Sequence, residues 1–133
     1  MLDHLGMAAS NLVRSKHFYS ACLAPLGITL LEDHSGGNGP AWLVYGTEDD
    51  APFFVVSGSA PSFWNPSNKP GVSPIHIAFE AHDRASVDEF YRQGIAHGGR
   101  DNGPPGERQS TTLYYAAYLL DPDGDNVEAG LRG

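Results

Sequence analysis

The chain has 133 residues, 41% of them hydrophobic and 18% charged, which is the composition of one folded globular domain with a proper core. Sixteen acidic residues against eight basic ones give a formal net charge of −8, which argues against nucleic acid and anionic membrane as partners, since both reward clustered Lys and Arg. A lone cysteine, Cys22, excludes an internal disulfide, and no run approaches the ~18 apolar residues of a membrane span. With no basic-then-apolar layout at the N-terminus, a cytoplasmic location is expected.

In chain order, a short strand is predicted over residues 2–8. A helix capped by Asn11 follows, with Leu12, Ser15, Tyr19, Cys22 and Leu23 on one buried stripe and Gly27 as its stop. On that stripe Cys22 reads as a buried, inert thiol. Strands are predicted over 28–33, 41–46 and 52–57. The stretch 58–73, "GSAPSFWNPSNKPGVS", is rich in Pro, Ser and Asn and reads as an irregular linker. Its Phe63-Trp64 pair is either a lid over a cleft or a patch that tacks the loop down. A strand at 74–81 leads to a second helix, capped by Asp83, carrying Val87, Phe90, Tyr91 and Gly94 on one face and stopped at Gly99. A weak strand near 99–103 belongs to a turn-rich loop, 98–110. Strands at 112–121 and 126–131 flank Asp121-Pro122-Asp123-Gly124, whose residues suit a type I turn.

The second half repeats the first. His4 aligns with His76, Asn11 with Asp83, Phe18-Tyr19 with Phe90-Tyr91 and Gly27 with Gly99, all at one offset of 76 − 4 = 72. The chain therefore divides into a βαβββ module at 1–57, the linker at 58–73, and a second βαβββ module at 74–133, forming one structural domain. The expected fold class is α+β: two modules pairing into an eight-stranded cupped mixed sheet with helices outside. Such a concavity suits a small-molecule substrate.

Glu128 poses the sharpest question, because a carboxylate in the apolar run Val127 to Ala129 costs several kcal/mol unless paired. His4 and His76 hold equivalent places on equivalent strands, and Glu128 lies on the last strand. Two His and one carboxylate bind a divalent ion while leaving positions open, as in zinc and non-haem iron sites. The remaining histidines, His17, His34, His82 and His97, fall off this pattern and read as solvated.

Taken together, "DHLGMAASNLVRSKHFYSACLAPLG", "HIAF" and "YYAAYLLDPDGDNVEAG" resemble the vicinal oxygen chelate superfamily, which includes glyoxalase I, bleomycin-resistance proteins, thiol transferases and extradiol dioxygenases. The resemblance implies paired βαβββ modules and one divalent metal (Zn, Mn, Ni or Fe(II)) held by His4, His76 and Glu128. It also implies chemistry on a substrate that chelates the metal through neighbouring oxygens. It departs from glyoxalase I in one place. That family member has a further Glu on the last strand of the first module, where this chain offers Val56 or, with a shifted alignment, Phe54. Lactoylglutathione lyase activity is therefore not expected. The resemblance implies that Tyr118 lies on the pocket face, and alternation then adds Ala116, Tyr114 and Thr112, with Tyr118 able to donate to a substrate oxygen or act as acid, while Tyr115 packs under a helix. Trp42, Phe54 and Val56 are expected to form an apolar first-module wall, and Arg108 an anion contact. Three functions remain open: a metal-dependent lyase, isomerase or transferase; an Fe(II) ring-cleaving dioxygenase; and a metal-free drug-binding protein. A twofold homodimer is expected, with its cups closed within one chain or shared between two.

Overall fold

A computed structural model describes residues 1–133 except 49, 59–63, 66, 68, 73–74 and 109–112. The chain runs β1 (His4–Ala8), α1 (Leu12–Leu23), a 3-10 turn (Ala24–Leu26), β2 (Thr29–Asp33), β3 (Trp42–Thr47) and β4 (Asp50–Ser57). It then repeats as β5 (His76–Glu80), α2 (Arg84–Ala96), β6 (Arg100–Arg108), β7 (Tyr114–Leu120) and β8 (Asn126–Arg132). The two modules and eight strands expected from the repeat are present. Their ladders run within each module, giving two four-stranded mixed sheets of order β1-β4-β3-β2 and β5-β8-β7-β6. In each, the first strand pairs parallel to the last and the others are antiparallel.

Both helices start where the caps predict. The Asn11 side chain accepts from the Arg14 amide and Asp83 accepts from the Ser86 amide. Gly27 adopts φ 78°, as a C-terminal glycine should, but in the second module the left-handed residue is Gly98 (φ 97°), one position before the expected Gly99. Gly99 serves packing instead: a Cβ there would come within 3.1 Å of Phe18 Cδ1 and 2.8 Å of the Gly94 carbonyl. Gly94 likewise leaves room for Phe18 and for Leu119 of β7. Phe18 of α1 thus seats against the second module, fully buried, worth about 1.5–3 kcal/mol.

One core serves both modules. Phe54 of β4 meets Phe79 of β5 edge-on at 5.3 Å, and Tyr19 of α1 meets Phe54 at 5.0 Å. Cys22 is buried in it, and burial pushes its thiol well above the usual range, which fits an inert side chain. Each sheet turns one face to this shared core and presents the other, open face away from the helices.

Residues 98–110 were expected as a turn-rich loop with a weak strand at 99–103. β6 extends through Arg108 despite Gly103-Pro104-Pro105-Gly106. It does so by breaking register between Asp101 and Gly103 and again between Gly103 and Gly106, so the prolines owe the ladder no donor.

The turn at 121–124 forms as read, with the Gly124 amide donating to the Asp121 carbonyl at 2.9 Å. Buried Asp121 does more than open it. Its Oδ1 accepts from the amides of Asp123, Gly124 and Asp125, and its Oδ2 accepts the Tyr19 hydroxyl at 2.6 Å. Asp123 accepts from the Ser10 amide and hydroxyl just before α1, and pairs with Arg14. Gly71 of the linker passes so close that a Cβ there would lie 2.9 Å from the Asp123 carbonyl carbon. The β7–β8 turn is pinned to both the first module and the linker.

Candidate functional site

The ladder registers decide which side chains share an open face. In the second module His76 lies opposite Asn126, Ala78 opposite Glu128, and Glu128 opposite Tyr118. Ala116 opposes Gly130, Tyr114 opposes Arg132, and Arg108 opposes Tyr114. His76, Glu128, Tyr118, Tyr114 and Arg108 therefore share the face away from α2, as expected for Tyr118 and Tyr114 of β7. Tyr115, on the other face, bonds Asp88 of α2 at 2.6 Å. Thr112 lies outside the described residues.

Glu128 is 3% exposed, and its two oxygens are both engaged. His76 Nε2 stands 2.7 Å from Oε2, and the Tyr114 hydroxyl donates to Oε1 at 2.5 Å. Burial and the adjacent carboxylate push the Tyr114 hydroxyl up to about 12, so it remains a donor at neutral pH. Tyr114 reaches Glu128 by lying across Gly130, where a Cβ would come within 2.5 Å of its Cζ. On the far side of His76, Nδ1 meets the Asn126 amide, and Asn126 in turn is held by Asn102 of β6 at 2.6 Å. The Asn126 amide nitrogen can only donate, so Nδ1 accepts and the ring proton sits on Nε2, bonded to the Glu128 carboxylate; a metal at Nε2 would take that proton's place.

Sequence reasoning missed Asn102, Asn126 and Gly130. Asn126 was findable, because it stands two residues before Glu128 on the same face; Asn102 was hidden by the misread loop.

Tyr118 flanks the pair, its ring 6.2 Å from that of His76. Arg108 lies 4.9 Å over the Tyr118 ring and donates to the carbonyls of Ala116, at 2.9 Å, and Pro104. It stands on a strand, tied to two backbone carbonyls, and not in the loop expected at 98–110.

In the first module His4 opposes Phe53, Gly6 opposes Val55, and Trp42 opposes Ser57. His4, Phe53, Val55, Val44 and Trp42 form that open face, with Trp42 stacked on His34 at 4.3 Å. Trp64 of the linker also reaches it, 3.6 Å from where a Gly6 Cβ would stand. Phe63 lies outside the described residues. Phe54 and Val56 were expected on this wall; both lie on the opposite face, buried in the core at 4% and 1% exposure. The same register corrects the position matching Glu128. Ala78 opposes Glu128 as Gly6 opposes Val55, so the offset here is 128 − 55 = 73 and the residue is Val55. The absent first-module carboxylate stands.

His4 bonds Asp3 through Nδ1 at 2.7 Å, leaving Nε2 on the solvent side of an exposed ring. Within one chain it does not join the other pair: among the described residues no three His, Cys, Asp or Glu side chains gather as a metal-binding group. The structure brings together His76 and Glu128 and keeps His4 on a separate open face.

The superfamily profile named for glyoxalase, bleomycin resistance protein and dioxygenase matches residues 1–129. The chain belongs to this superfamily. The glyoxalase superfamily fold also recurs in solved structures. A glyoxalase/bleomycin resistance protein from Albidiferax ferrireducens T118 is 31% identical, covers 99% of both chains and superposes with a TM-score of 0.78. A glyoxalase-related enzyme from Fulvimarina pelagi (15% identity, 98% of this chain and 87% of that one, TM-score 0.68) shares the fold. So does TnmS3, an antibiotic binding protein from Streptomyces sp. CB03234 (21% identity, 100% and 96%, TM-score 0.66). No curated protein matches the sequence significantly. Among the described residues no helix is long and apolar enough to cross a membrane.

Proposed function

We propose that this glyoxalase superfamily member is a divalent-metal-dependent enzyme of lyase, isomerase or transferase type, acting on a small substrate that chelates the metal through neighbouring oxygens. The observation that carries the reading is the buried Glu128 beside His76 Nε2, with Asn126 behind the imidazole and Tyr114 on the carboxylate. The donors fit a hard-to-borderline divalent ion such as Zn, Mn, Ni or Fe(II), with His4 as third ligand. Bound there, the ion would act as Lewis acid toward a chelating oxygen. Around it, Tyr118 is the group placed to donate a proton to substrate, Glu128 to hold one between oxygens, and Arg108 to meet negative charge.

Because His4 stands apart from His76 and Glu128 in one chain, we assign it to the site of a second copy. Each open face of the first module, with Trp42, Val44, Phe53 and Val55, would then cover the second module of its partner. A homodimer would carry two such sites, in the cytoplasm. The test is metal analysis of tag-free protein purified without chelator, with about one divalent ion per chain expected. Glu128→Ala should lose the ion and stay folded, and unchanged metal content would sink the assignment. Mixing His4→Ala with Glu128→Ala protein should restore one site per mixed dimer. No recovery after subunit exchange would place the ligands on one chain.

A second reading has its own support. The first module's open face offers aromatic and aliphatic groups and no carboxylate at Val55, which suits holding a flat apolar ligand without turnover, as in a small-molecule binding protein. Metal identity separates a third: ferrous iron in the purified protein would favour ring-cleaving dioxygenase chemistry.

A further inference from the structure

On the helix side of the molecule, far in sequence from the Glu128 strand, His17 of α1 and His97 at the end of α2 face one another across the seam between modules. Their ring centroids lie 4.8 Å apart at an interplanar angle of 54°. They stand in an open groove of about 1040 Å³ that also takes in Asn11, Arg14, Ser20 and Ala96. Solvated histidines were expected at both positions. His97 is instead half-buried, with Nδ1 donating to the Gln93 carbonyl at 2.8 Å. That bond fixes the proton on Nδ1 and leaves the Nε2 lone pair available, the arrangement found behind metal-bound imidazoles.

The geometry points to a second metal site, distinct from Glu128, in which His17 and His97 together bind a divalent ion that prefers nitrogen donors, such as Zn, Ni or Cu, with water completing its coordination. With metal–nitrogen bonds of about 2.0–2.1 Å, two imidazoles sharing one ion bring their centroids to roughly 4.5 Å at a right angle and roughly 5.2 Å at zinc's tetrahedral angle, and the 4.8 Å found lies between. The observed separation needs little adjustment. Two further features favour a cation. His97 caps the carbonyl end of α2, where the helix dipole is negative. The two neighbouring cations in the groove are already neutralised: Arg14 pairs with Asp123 at 3.4 Å, and Lys16 pairs with Asp33 at 2.6 Å. Since the two ligands come from different modules, the ion would clip α1 to α2 and stabilise the folded chain by mass action.

The test uses chelator-stripped, tag-free full-length Glu128→Ala protein, so that the site proposed above is disabled and its success or failure does not decide this one. Zinc chloride is titrated by calorimetry, and the melting temperature is followed with and without zinc. About one zinc per chain is expected, with a zinc-dependent rise in melting temperature. Both should vanish when His17→Gln or His97→Gln is added, while circular dichroism confirms that these surface variants fold. Zinc binding that survives both substitutions, or no zinc binding in the Glu128→Ala chain, would overturn the proposal.

Discussion

Gly130→Ala should unseat the Glu128 carboxylate without touching it. A methyl at position 130 would stand 2.5 Å from Tyr114 Cζ and 2.9 Å from Cε1, with the hydroxyl oxygen closer still. The ring is rigid, so it must swing off β8, and the strain of such overpacking costs about 1–3 kcal/mol. Swinging also breaks the 2.5 Å bond to a carboxylate that is 3% exposed, and a hydrogen bond to a charged group is worth about 1.5–3 kcal/mol. Tyr114→Phe removes only that bond and the atom nearest the new methyl. The two losses share one cause, so the double variant should cost less than the sum of the singles, by about 1 kcal/mol or more. Urea unfolding of wild type, both singles and the double, at one protein concentration, measures this directly. Additivity within about 0.5 kcal/mol would refute the claim that Gly130 exists to let Tyr114 cross the strand.

Further tests address other parts of the molecule. Burial, with Asp121 and Asp123 nearby, raises Asp125 to about 6, so between about pH 4 and pH 6 its folded form holds a proton that the unfolded chain has released. That contribution to stability is full below about pH 4 and gone above about pH 6, so Asp125→Asn should be more stable than wild type by about 1–2 kcal/mol at pH 7.5 and equal to it near pH 4. Equal melting temperatures at both pH values would discount the shift. Tyr19→Phe strips a 2.6 Å donor from buried Asp121 and should cost about 1.5–3 kcal/mol in chemical denaturation, with the helix content of the native state unchanged in circular dichroism. Nickel- or zinc-loaded protein should fail to convert the glutathione hemithioacetal of methylglyoxal to lactoylglutathione in an absorbance assay, because Val55 stands where the extra carboxylate would be needed. Robust product formation would reverse that conclusion.

Much of the fold could be read because the repeat states it twice. The offset of 72 between His4 and His76 placed both caps and both buried stripes. Alternation from Tyr118, which the resemblance put on the pocket face, found Tyr114. What failed was arithmetic that assumed a constant offset. One additional residue separates the first and last strands in the second module, so subtracting 72 moved Glu128's counterpart onto the wrong face, and Phe54 and Val56 were assigned to a pocket when they fill the core. The continuation of β6 beyond 103 was missed because Gly-Pro-Pro-Gly signals a turn, and nothing local reveals that two register breaks will accommodate it. The separation of His4 from His76 was beyond the sequence as well. Equivalent positions on equivalent strands specify each module internally and leave their mutual orientation to side chains such as Phe18, which needs Gly94 and Gly99 on the other half.

The pinned turn at 121–124 gives the two halves of this repeat unequal duties. Asp121 and Asp123 reach Tyr19, Ser10 and Arg14 in the first half, while Gly71 lies against the same bend from the linker. The strand that begins two residues beyond that bend carries Glu128. The same hairpin is therefore a fastener at one end and a ligand arm at the other, so a substitution loosening the fastener would be felt at the carboxylate as lost aim before it was felt as lost folding.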